Sequence, residues 1–123
     1  MHTAYLAVAV VTIAANMFSG VAAIARLRPI MNTLGPAMER TGVPQSWLIF
    51  PIGVLKAAGA AGLLLGILGV PLIGTAAAAG LVLYFVCAAY THIRVSDWAP
   101  QFFLGVCFFL PLAIASLALS MAQ

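Results

Sequence analysis

Charge is scarce in this sequence: only 6% of its 123 residues are Asp, Glu, Lys or Arg, and just two are acids. So few ionic side chains cannot coat a water-soluble domain whose composition is 65% hydrophobic. The five basic residues give a net charge of +3 but form no run or patch, which argues against nucleic acid as a partner. Cysteine is nearly as rare. Cys87 and Cys107 stand singly in apolar runs, in no CxxC or metal-ligand spacing, so no metal site is expected and the redox compartment is left open. HExxH, P-loop and nucleophile-elbow patterns are missing too, so the chain is not expected to be an enzyme by itself. His2 and His92 are the only histidines and belong to opposite ends of the protein, which argues against a haem held by two histidines; no cofactor is expected.

What the sequence does have is long apolar runs. Tyr5 to Ala25 is about 20 residues, enough to cross roughly 30 Å of hydrocarbon at 1.5 Å per residue. Ala23-Ile24-Ala25 has the look of a signal-peptidase site, but no Lys or Arg precedes the run and three more such runs follow, so it is read as a helix. Further spans are expected at Trp47 to Leu68, Leu72 to Thr91 and Gln101 to Met121, with Pro111 predicting a kink in the last. The fold class is therefore all-α: a single integral membrane domain over residues 1–123, a bundle of four transmembrane helices whose first partner is the lipid bilayer.

Arg26 to Ser46 is the one extended polar stretch. Its Ile30, Leu34, Ala37 and Met38 recur at helical spacing and predict a short interfacial helix, limited in regularity by Pro36. Arg26, Arg28 and Arg40 lie in or beside this loop, and Arg94 follows the third run; the second loop and both tails have none. The positive-inside rule then puts the first and third loops in the cytoplasm and both termini outside the cell membrane.

Lipid gives helices no hydrophobic reason to associate, so close packing falls to small residues. Gly59, Gly62, Gly66 and Gly69 fall on one side of the second span, with Gly74, Gly80 and Ala76 to Ala79 supplying a matching surface on the third. Two uses stay open: a tight intramolecular bundle, or a seam between two copies in a homodimer.

The costliest residue is Lys56. About nine residues past Trp47, roughly 14 Å, it falls near the bilayer midplane, where a lysine costs about 2.5–3.5 kcal/mol. No carboxylate lies at that depth to pair with it. Asn16 sits at a similar depth on the first span and is the first-choice partner, with Ser19 and Tyr84 as further candidates. A lysine that merely snorkels to the headgroups is the alternative. Tyr84, Cys87 and Thr91 share a face of the third span, and Cys107 enters the fourth to about the depth of Cys87, which leaves open whether the thiols are neighbours. His92, Arg94 and Asp97 form a polar cap at the end of the third span.

Three stretches carry a family likeness: Gly42-Val43-Pro44, Gly53-Val54-Leu55-Lys56-Ala57-Ala58-Gly59-Ala60, and Thr91-His92-Ile93-Arg94-Val95-Ser96-Asp97. With them, Val43 to Leu119 resembles the DoxX-like family of small four-helix membrane proteins; Phe18-Ser19-Gly20 matches the family's opening segment less closely. The resemblance implies a link to membrane oxidoreductase complexes and quinone-linked chemistry, and more distantly to assembly chaperones for membrane receptors. It also implies that Lys56 stands where the family often has an acid or a lysine, and that His92 and Asp97 match its polar cap.

Three functions are carried forward. The first is an accessory subunit or binder of a lipophilic ligand, quinone-like or lipid, held by Lys56, Asn16, Tyr84 and Ser19. The second is an assembly factor whose glycine-lined second span packs on a partner subunit's transmembrane helix. The third is a membrane enzyme acting through Lys56, Tyr84 and His92. Against the third stands the separation of an interfacial histidine from a midplane lysine, unless a cavity joins them.

Overall fold

Prolines and left-handed residues decide where these helices stop and start. A computed structural model describes residues 2–25, 28–44, 47, 49–70, 72–98 and 100–122. The elements are α1 His2–Ile24, α2 Arg28–Thr41, α3 Val54–Ile67, α4 Ile73–Ile93, α5 Pro100–Leu104 and α6 Leu110–Met121. The kinked segment Ile49–Gly53 leads into α3, and a π-helical turn, Gly105–Phe109, leads into α6. Four stretches are long and apolar enough to cross a membrane: His2–Ile24, Phe50–Ile67, Ile73–Ile93 and Phe102–Met121.

The second span does not open as a helix at Trp47. Phe50 is extended (φ −134°, ψ 131°), because a residue that precedes proline is driven out of the helical region by the ring of Pro51, and the Phe50–Pro51 peptide is cis. Regular helix begins only at Val54. Lys56 accordingly stands in the first turn of α3, nearer the Phe50 end of its span than the Ile67 end. The fourth span is also interrupted. Pro111 cannot donate a helical hydrogen bond, and the wide turn Gly105–Phe109 ends two residues before it.

One motif closes three helices. Val43 N–H reaches Met38 C=O after α2, Val70 N–H reaches Leu65 C=O after α3, and Asp97 N–H reaches His92 C=O after α4, at 2.9, 3.0 and 2.9 Å. The turning residues are Gly42 (φ 74°), Gly69 (φ 104°) and Ser96 (φ 55°), so Gly69 serves as the stop of α3 and not as part of its packing stripe. Pro71, Arg26 and Ser46, which figured in the expected turns and loop, lie outside the described residues, as do the side chains of Ile30, Leu34 and Ala37. Within α2 Met38 is buried against Ala23, Val43 and Ile52.

The four spans form a ring in which α1 and α4 each pack against α3 and α6. Leu63, Ala78, Leu81, Phe85, Phe109 and Ala113 make the central apolar cluster. The glycine stripe is used inside this ring. A Cβ on Gly59 would meet Leu81 at 2.6 Å, one on Gly62 would meet Ala77 at 2.7 Å, and one on Gly66 would meet the Gly74 backbone at 2.6 Å. Gly80 departs from the expectation, since nothing lies within 4 Å of its would-be Cβ. Outward faces carry Phe18, Leu64, Leu83 and Phe103, as helices facing lipid require, while Thr12, Asn16, Ser19, Lys56 and Ser116 are buried.

Candidate functional site

Lys56 is 4% exposed at the start of α3, where α1 crosses close by. Closeness comes from Gly20, whose would-be Cβ would lie 2.8 Å from both Ala57 N and Gly53 O. The ammonium donates to Ser19 Oγ at 2.9 Å. Its other neighbours are rings: Phe109, Phe85 and Tyr84, with centroids 5.0, 5.7 and 5.9 Å away. Each ring face attracts the cation without offering an acceptor atom, so Lys56 is solvated by one hydroxyl and three π-systems.

Asn16 is not that partner. Its Nδ2 donates to Thr12 C=O at 2.9 Å, one turn back along α1, and its Oδ1 accepts nothing among the described residues. The Thr12 hydroxyl meets Ser116 Oγ at 3.0 Å, an α1–α6 polar contact one helical turn from Asn16. Ser19, seven residues after Thr12, occupies the same buried face two turns nearer the α2 end, which is where the delayed start of α3 puts Lys56.

At that end a cavity of about 450 Å³ opens among α2, the Trp47 segment, α3, α4 and α5. Lys56, Tyr84, Cys87, Thr91 and His92 reach its wall, and no Asp or Glu does. The rest is mainly apolar, including Leu55, Phe85 and Phe109. Leu55 and Leu83, on its lining, are also exposed on the outer surface of the bundle, so the cavity communicates with the lipid side. It joins the lysine to the histidine, removing the separation that had weighed against a shared site for Lys56, Tyr84 and His92.

His92 is held in place by the turn that ends α4. Ser96 in the left-handed region folds Asp97 back, and His92 Nδ1 donates to Asp97 Oδ2 at 2.8 Å. The second carboxylate oxygen accepts from Arg40 Nε of α2 at 3.0 Å, and Arg94 donates to the Thr41 carbonyl. The expected cap of His92, Arg94 and Asp97 is thus also a fastening for α2, with Arg40 as the member that sequence reasoning treated only as a topogenic charge. With Nδ1 engaged by Asp97, Nε2 is the remaining ring nitrogen of His92, a residue that lines the cavity.

Cys87 and Cys107 are free and exposed. Cys87 lies on the cavity wall and Cys107 is not among the residues lining it. No group of three or more His, Cys, Asp or Glu that could hold a metal occurs among the described residues.

A family model described as the DoxX-like family matches residues 7–119. No curated protein matches the chain, and no solved structure does.

Proposed function

The chain belongs to the DoxX-like family, and from that premise we propose that it binds a lipophilic small molecule, quinone-like or lipid, within the membrane as an accessory subunit of a redox complex. The observation that carries this reading is the cavity of about 450 Å³ with Lys56, Tyr84 and His92 on an otherwise apolar wall. Ligand sites commonly combine concavity, apolar lining and a few convergent polar groups. An expensive buried lysine whose partners among the described residues are one hydroxyl and three ring faces fits a site that a ligand completes.

Orientation is part of the proposal. Arg40 and Arg94 meet the same Thr41–Asp97 end of the bundle, which supports a cytoplasmic placing of that end and external termini. A native mass spectrum of the protein purified in mild detergent tests the function, with Lys56→Leu beside it. Retention of a small molecule by the parent and its loss from the variant is expected. A bare parent ion, or an adduct indifferent to the substitution, overturns the reading.

The enzyme reading gains one observation: Asp97 orients His92 beside the cavity that also takes in Lys56 and Tyr84, the arrangement a general base needs. The assembly-factor and homodimer readings lose support, because Gly59, Gly62 and Gly66 already receive α4 of the same chain.

A further inference from the structure

We infer that the cavity takes a single-chain amphiphile with a monoanionic head, in chemical class a fatty carboxylate, its head on the Lys56 ammonium and its chain along the wall formed by Leu55, Gly80 and Leu83. This rests on the proposed binding of a lipophilic molecule and names which kind.

Charge complementarity selects the head. An ammonium has three donors, and Ser19 takes one. Phe109, Phe85 and Tyr84 crowd the same nitrogen without supplying an acceptor. No Asp or Glu lines the cavity, so its wall offers Lys56 no counter-charge. His92 differs, because Asp97 already faces it at 2.8 Å, and Arg40 closes the other side of that carboxylate at 3.0 Å. Of Lys56 and His92, the basic side chains on the wall among the described residues, Lys56 is therefore the one that an entering anion would neutralise. In a low-dielectric surrounding such a pair forms a charge-assisted hydrogen bond stronger than one to a neutral head.

Size and access select the tail. A volume of about 450 Å³ stands toward the small end of ligand cavities, which favours one chain over a two-chain lipid. Gly80 leaves open space where a side chain would stand, and Leu55 and Leu83 border both the cavity and the outer surface. A chain anchored at Lys56 can leave by that side into the acyl region of the bilayer.

The test compares oleate, methyl oleate and dioleoylphosphatidylglycerol on the full chain in nonionic detergent, with binding read by native mass spectrometry. Oleate is expected to bind about tenfold or more tighter than its methyl ester, the usual gain for a hydrogen bond to a charged group. Lys56→Met should collapse that ratio toward one, and phosphatidylglycerol should fail to displace oleate. If acid and ester bind alike to the parent protein, the anionic head is refuted while a lipophilic binder stands. Binding of neither overturns the fatty-chain occupant, and the proposed function falls with it only if the parent also retains no other lipophilic adduct in its native mass spectrum. Displacement by phosphatidylglycerol overturns the single-chain occupant in favour of a phospholipid head. The acid-to-ester ratio on the parent needs no variant, so it decides even where Lys56→Met does not fold.

Discussion

Lys56 and Ser19 are joined by a 2.9 Å hydrogen bond beside the close approach of α1 to α3 at Gly20. Removing the hydroxyl in Ser19→Ala leaves a buried ammonium with rings alone for company. A loss of about 1–2 kcal/mol is expected, read as a lower midpoint of thermal unfolding in detergent. Asn16→Leu gives the contrasting result. It deletes an Oδ1 with no partner among the described residues along with the bond to Thr12, so little or no loss is expected. A larger loss for Asn16→Leu than for Ser19→Ala would assign the lysine's support to the wrong residue.

Gly66 and Gly74 bring the backbones of α3 and α4 together, whereas Gly80 fills no contact of that kind. Gly66→Val forces a side chain into a space where even its Cβ would be 2.6 Å from Gly74 Cα. It should destabilise the bundle by about 1–3 kcal/mol, and Gly80→Ala should not. Unfolding curves of the two variants check this, and equal effects would mean that the seam between α3 and α4 is not set by these glycines.

Asp97 fastens α2 to the end of α4 through Arg40 while holding His92. Asp97→Asn weakens both contacts at once; Arg40 is 43% exposed, so solvent screens part of its share and about 1–2 kcal/mol is expected in total. Amide hydrogen exchange should rise over Arg28–Thr41 and stay unchanged in the interior of α3. Uniform exchange along the whole chain would instead mark Asp97 as a general stability determinant.

The number and character of the spans were legible because each is about 20 apolar residues, a signal that lipid imposes on sequence directly. Where α3 begins was harder to read. Trp47 looks like an interfacial start, and the effect of Pro51 on Phe50 falls inside an unbroken apolar run. That displacement put Lys56 in the first turn of α3 and exchanged Asn16 for Ser19, although both stand on the buried face of α1. Arg40 was missed for another reason: it is 57 residues from Asp97, and nothing local signals such a contact. The cavity itself is a space between α2, α3, α4 and α5, which no single stretch of sequence encodes.

Cys87 and Cys107 offer the most direct test that the cavity is occupied, because both are free and exposed and only Cys87 is on the lining. The measurement is the rate of alkylation of each by a neutral membrane-permeant thiol reagent, with and without oleate or a short-tailed quinone. The account predicts that at least one of these ligands slows the reaction at Cys87 and leaves Cys107 unchanged. Unaltered rates at both thiols, or equal slowing at both, would contradict a ligand held beside Lys56.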